Sequence, residues 1–226
     1  MGSEPFLEAL AEHFTVVAPD LPGYGLSDRP VWARSPRDLA FLMLRVLDRV
    51  ADEPVHLFGA GFGGWIAAEM AVLAPNRFSA LTLLGPAGLQ PRTGEILDQM
   101  DLEFQMYIRT CFSSDEAFDK YFASGVSDEY VDGWDYGREM TARVTWKPWM
   151  FSRQLPQMLI EFTAPALVLR GQHDRVIPAD CAVRYAELLP GAELRELAGA
   201  GHIVELESPE ALVAEILRHP AAVSQA

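Results

Sequence analysis

Glycines crowd into one short stretch of this chain, Leu57-Phe58-Gly59-Ala60-Gly61-Phe62-Gly63-Gly64-Trp65, and no other segment limits the fold as tightly. The residues before it, Val55-His56-Leu57-Phe58, have the apolar character of a buried strand. Those after it, Trp65-Ile66-Ala67-Ala68-Glu69-Met70-Ala71, form a helix-favouring segment. A strand that turns sharply into a helix needs glycine where the chain bends or where backbones crowd. Two functional motifs have this shape. The dinucleotide fingerprint G-x-G-x-x-G is met by Gly59, Gly61 and Gly64. The nucleophile elbow G-x-S-x-G spans Gly59 to Gly63, with Gly61 standing where the serine belongs.

The neighbouring segments set the context. Phe6 to His13 reads as a short amphipathic helix and Phe14 to Pro19 as a buried strand. Asp20-Leu21-Pro22-Gly23-Tyr24-Gly25-Leu26-Ser27-Asp28 is a tight turn of the kind that carries a chain off a strand end. Ser35-Pro36 supplies an N-cap and a first-turn proline for a helix to about Asp52, with Leu39, Leu42, Met43, Val46, Leu47 and Val50 on one face. Ala80 to Leu84 is a further apolar strand stopped by Gly85-Pro86, and strand, helix, strand in that order implies a parallel sheet.

From about Leu89 the pattern turns helical and rich in Met, Phe, Tyr and Trp; it reads as an inserted helical cap over 89–158. The strand pattern returns at Pro165 to Arg170 and again at Glu193 to Leu197. Helices are expected near Asp180 to Leu189 and Pro209 to Leu217. The expected fold class is therefore α/β, a mostly parallel sheet flanked by helices, with a core of residues 1–88 and 159–226. The last two strands each end in a loop with a titratable residue, Asp174 and His202, and ligands of open α/β sheets bind at such carboxyl ends.

Charge and cysteine usage narrow the partners. A net charge of −14 and a pI near 4.7 exclude nucleic acid and anionic membrane surfaces as natural partners, because both require a basic face. Cys111 and Cys181 are too few for a disulfide framework and lack metal spacing, and no histidine pair has H-x-x-x-H spacing. Met1-Gly2-Ser3-Glu4-Pro5 has no basic region or apolar core of a signal peptide and no apolar run reaches membrane-spanning length, so neither is expected. The expectations are a cytoplasmic protein with no metal and no cofactor, acting on a small apolar substrate or ligand.

The two glycine motifs make different demands. A dinucleotide site needs an acid at the end of the next strand, and Leu83-Leu84-Gly85-Pro86-Ala87 has none. An elbow needs a later acid and then a histidine, each after a strand, and Asp174 and His202 meet that order. With Asp20 to Ser27, Gly59 to Gly64, Gly171-Gln-His-Asp-Arg-Val-Ile-Pro178 and Gly201-His-Ile-Val-Glu-Leu-Glu-Ser-Pro-Glu210 in that order, the chain resembles the α/β-hydrolase family. The likeness is to its cap-bearing branch of esterases, lipase-like enzymes and carbon–carbon bond hydrolases.

That resemblance implies Asp174 as the triad acid, His202 as the general base and the Phe62 backbone N–H as one oxyanion-hole donor. It also implies that Gly61 occupies the nucleophile position. Without a side chain there, neither a serine nor an aspartate mechanism can run, and impaired hydrolysis is expected. The family's first three strands, with a His-Gly loop carrying the second oxyanion donor, have no counterpart before Phe6, so the expected core is N-terminally truncated. The third of those strands would lie between Phe14 to Pro19 and Val55 to Phe58. Either those two pair directly, or a neighbouring chain or a further N-terminal segment fills the gap, and an exposed edge would invite self-association through the altered sheet. The alternatives are a non-catalytic ligand- or partner-binding member, or a truncated or engineered form of an ordinary esterase.

Overall fold

Parallel pairing organises the chain, whose computed structural model describes residues 4–219; the outer ends of the expected core ranges, residues 1–3 and 220–226, lie outside the described residues. In chain order the elements are α1 (Glu4–Ala11), α2 (Pro36–Val50), β1 (Val55–Ala60), α3 (Gly61–Leu73), β2 (Phe78–Leu84), α4 (Phe104–Cys111), α5 (Asp115–Tyr121) and α6 (Asp128–Thr145). They continue with α7 (Leu155–Leu159), β3 (Ala166–Gly171), α8 (Ala179–Leu188), β4 (Glu193–Leu197), α9 (Val204–Glu207) and α10 (Pro209–Arg218).

The four strands form one sheet in the order β1-β2-β3-β4 with every neighbouring pair parallel. Leu57 lies opposite Leu81, Leu83 opposite Val168, and Leu169 opposite Arg195. All four carboxyl ends therefore leave the same edge of the sheet. The period-2 alternation of strand side chains splits the core between its two faces. Leu81, Leu83, Ala166 and Val168 pack with α2, α3, α7 and α8 on one face, whereas Leu84, Leu167 and Leu169 pack with α1 and α10 on the other.

Phe14 to Pro19 departs from expectation. The segment forms no strand, most of it is exposed, and Val17 is 56% exposed. It does not pair with β1, which is an edge strand. An apolar run signals a strand only if another strand's N–H and C=O groups lie alongside it, and here none do among the described residues.

Ser35 caps α2 through a capping box: its side chain accepts from the Asp38 N–H while the Asp38 carboxylate accepts from the Ser35 N–H. This helix packs on α3, which is apolar all round and buried along most of its length. The one charge on α3, Glu69, is 2% exposed and must be paired. Arg37 of α2 supplies the pair at 2.8 Å, and the Trp65 indole N–H donates to the same carboxylate at 3.2 Å.

Between β2 and β3 the chain is irregular as far as Glu103, where a helical pattern is expected from Leu89, and then forms α4 to α7, whose aromatics divide as the helices pack. Phe104, Tyr107, Phe112 and Phe118 are buried, whereas Trp146 is 70% exposed. No helix among the described residues is long and apolar enough to cross a membrane. Truncating Arg37 to alanine would strand the buried Glu69 carboxylate, so Arg37→Ala is expected to destabilise the fold by about 3 kcal/mol in urea denaturation, the low end for breaking a buried pair.

Candidate functional site

The β1–α3 turn passes from strand to helix with no intervening residue, and Gly61 makes it with φ of +53°. Glycine adopts that left-handed backbone at little cost. A Cβ placed on Gly61 would lie 3.0 Å from His202 Nε2 and 3.4 Å from its Cε1, so the imidazole faces Gly61 directly. One turn's width away, a Cβ on Gly59 would come 2.5 Å from the Gly63 carbonyl oxygen, which explains the second glycine of the stretch. Phe62 is the second residue of α3, where backbone N–H groups have no partner within the helix, and no side chain caps that end.

Asp174 sits in the loop after β3. Its Oδ1 accepts from the backbone N–H groups of Val176 and Ile177 at 2.8 and 2.9 Å. Its Oδ2 lies 2.9 Å from His202 Nδ1. An ionised carboxylate can only accept, so Nδ1 carries the proton and Nε2 is left as an acceptor toward Gly61. The loops meet because β3 and the chain after β4 approach without side chains between them: a Cβ on Gly171 would overlap the Gly201 carbonyl oxygen. His202 is further tied to the helical insertion, its backbone N–H donating to the Cys111 carbonyl at 2.8 Å.

The dyad is buried, with 2% of the Asp174 side chain and 12% of the His202 side chain exposed. Burial alone would raise the Asp174 pKa, but the His202 charge and hydrogen bond, helped by the Ile177 and Val176 N–H groups, hold it below the usual 3.8. For His202, burial pulls downward; the Asp174 charge and hydrogen bond outweigh it, Glu205 adds to them, and the pKa ends above the usual 6.5.

A cavity of about 620 Å³ opens beside the dyad and includes Phe62 and His202 in its wall. Phe104, Tyr107, Trp134 and Trp149 from the helical insertion line it, opposite Val176 and Ile177 of the acid loop. Asp20, Gln99, Glu129, Arg138 and Thr141 also line it, and the indole N–H groups of Trp134 and Trp149 are shut off from solvent without a partner. Neither cysteine offers a substitute nucleophile. Burial pushes the Cys181 thiol to about 12 and the Cys111 thiol higher still, the opposite of what a reactive thiolate requires. Among the described residues no group of three or more His, Cys, Asp or Glu is placed to hold a metal ion.

The structure thus brings Gly61, Phe62, Asp174 and His202 to one point at the carboxyl edge of the sheet. It leaves His173 exposed and outside the site. Sequence reasoning missed the residues that hold the loops. Glu207 accepts from the Ser113 backbone at 2.8 Å and from Gly201 at 2.6 Å, and Arg175 donates to the Phe112 carbonyl at 2.9 Å. The only signal for Glu207 was its place in the run after Gly201, because its other partner, Ser113, is distant in sequence.

A model of the alpha/beta hydrolase family matches residues 2–216. Among curated proteins, an uncharacterized hydrolase of Bacillus subtilis is 27% identical over 215 residues, covering 89% of this chain and 78% of the relative. The 2-hydroxymuconate semialdehyde hydrolase of Pseudomonas sp. is 28% identical over 214 residues, 88% of this chain and 73% of its own. Among solved structures, the 2-hydroxy-6-oxo-6-phenylhexa-2,4-dienoate hydrolase of Rhodococcus sp. matches with a TM-score of 0.75 at 23% identity. That match spans 96% of this chain and 83% of the Rhodococcus chain. A membrane phospholipase A reaches 0.80 at 22% identity, over 98% and 74%. At those identities the two structures speak to the fold.

The opposing shifts of the dyad set its pH behaviour. The stability it gives through His202 is fully present below pH 6.5 and is lost as pH rises through the raised folded value. The part from Asp174 is present above pH 3.8 and is lost as pH falls through the lowered one. In an NMR titration the His202 midpoint is expected above 6.5. Asp174→Asn is expected to drop it below 6.5, since burial then acts with the main opposing charge removed.

Proposed function

This chain belongs to the alpha/beta hydrolase family, and we propose that it hydrolyses small, largely apolar esters or ketones by attack of water that His202 activates and Asp174 orients. The observation that carries this reading is the 2.9 Å bond between His202 Nδ1 and Asp174 Oδ2, with Nε2 turned toward a residue that has no side chain. A neutral imidazole with a free Nε2 is a competent general base, and an ionised partner stabilises the imidazolium that forms. In this reading the Phe62 N–H, at the positive end of α3, stabilises the developing oxyanion.

Several of the relatives are hydrolases named for 2-hydroxy-6-oxo dienoates, which supports a substrate bearing a carbonyl group. The cavity, mostly aromatic and aliphatic in its lining but with Gln99, Arg138 and Thr141 in its wall, suits such a molecule. Its roof belongs to residues 89–158, which we assign as a cap over a core made of 1–88 and 159–226. Hydrolysis is slow in this proposal: losing the nucleophile costs roughly 10⁶-fold in turnover in a serine hydrolase. A second reading, ligand binding without turnover, is favoured by that same absent side chain.

Hydrolysis of activated aryl esters separates the two. His202→Ala is expected to lower the rate by about 10²-fold or more, the contribution of a general base. Gly61→Ser restores an attacking oxygen and is expected to raise turnover, although the serine must adopt the left-handed backbone and His202 must yield slightly. The His202–Asp174 mechanism is wrong if His202→Ala leaves the rate unchanged. Saturable ligand binding with no His202-dependent turnover would establish the second reading.

A further inference from the structure

Two glutamates stand close together on α9, just after His202, and the structure treats them differently. Glu207 has partners on both oxygens, from Ser113 and Gly201. Glu205 does not: its Oε2 is shut off from solvent and has no hydrogen-bond partner. A buried carboxyl oxygen left unpaired is costly and calls for a reason. The place of Glu205 supplies one. It lines a hollow of about 240 Å³ that shares Phe62 and His202 with the wall of the larger cavity and also includes Gly61 and Cys111. Glu205 therefore shares with His202 the space over the residue that lacks a nucleophile.

We propose that Glu205 is a further catalytic residue of this chain, the general acid that protonates the departing oxygen of an ester while His202 takes the proton of the attacking water. The inference rests on the hydrolytic reading given above. The step balances with water as the only co-reactant. His202 Nε2 removes a proton from water and the water oxygen bonds to the carbonyl carbon. The carbon–oxygen bond to the leaving group then breaks, and the leaving oxygen takes the Glu205 proton. The products are a carboxylic acid and an alcohol; the proton on His202 returns to the Glu205 carboxylate and resets the pair.

The surroundings favour this assignment. Burial raises the Glu205 pKa above the ordinary carboxyl value, its own backbone N–H and the His202 charge oppose that, and Glu207 reinforces it; the net direction is the one an acid needs. Cys111 and Tyr121 are the other titratable groups that feel its charge, and burial raises both, so neither competes for the role. Serine-based hydrolysis has no need of such a group, since one histidine serves as base and then as acid on the same side of the substrate. With water as the nucleophile, a second proton-bearing group lets attack and departure occur at two points of the hollow.

The test compares 4-nitrophenyl acetate, whose leaving group departs without a proton, with phenyl acetate, whose leaving group is a much stronger base. Glu205→Gln keeps the side chain's shape and removes the acid. It is expected to slow phenyl acetate by about 10²-fold while changing 4-nitrophenyl acetate by less than about threefold. Glu205→Asp keeps an acid and is expected to retain more of the phenyl acetate rate than Glu205→Gln does. If His202→Ala abolishes both rates but Glu205→Gln slows the two esters equally, or neither, the role of Glu205 is overturned and the His202 mechanism stands. If His202→Ala changes neither rate, the hydrolytic reading falls and this inference falls with it.

Discussion

Two stretches of backbone meet at Gly171 and Gly201 with no room for a carbon atom between them, and the site depends on that contact. β3 and β4 are adjacent and parallel, so the loops that follow them leave the same edge of the sheet. Their separation still has to shrink until a carboxylate and an imidazole can bond. The glycine contact does this, and the 2.9 Å Asp174–His202 bond is its result. The Cys111 carbonyl then holds the His202 backbone, and Arg175 ties the acid loop to Phe112, so the helical insertion and the sheet share one site. A change at any of these backbone contacts would move the dyad without touching it.

Gly61 separates what the turn requires from what the chemistry requires. The turn from β1 into α3 needs a left-handed residue, and glycine satisfies that more easily than serine. α3 is then held by packing on both sides and by the Arg37–Glu69 pair, none of which involves a side chain at position 61. The packing around this turn thus owes nothing to a side chain at position 61. Titratable groups do gather there: His202, backed by Asp174, and Glu205 both line the hollow beside Gly61.

Much of this was legible in the residues. The glycine stretch marked the strand-to-helix turn, and the absence of an acid after Leu84 ruled out a dinucleotide site. Asp174 and His202 stood in strand-end loops in the order an elbow demands. Phe14 to Pro19 was misread because hydrophobicity reports burial potential, while a strand also needs a partner whose ladder is free, which no local pattern contains. Glu205 was overlooked for a related reason. A glutamate on a short acidic helix looks solvated in sequence, and only the enclosed Oε2 distinguishes it from Glu207 two residues on.

The sequence by itself determined most of the elements and their order, Phe14 to Pro19 being the exception, because strand and helix periods, caps and glycine turns are local properties of the chain. It also determined the candidate base and acid, since their order along the chain is a one-dimensional fact. The tertiary structure decided which of those elements pair, which loops touch and which polar atoms are left without partners. Asp174 and His202 are 28 residues apart, and their bond exists because parallel pairing puts their loops on one edge and two glycines let those loops close. Distances of that kind arise from packing between segments, and no single segment carries them.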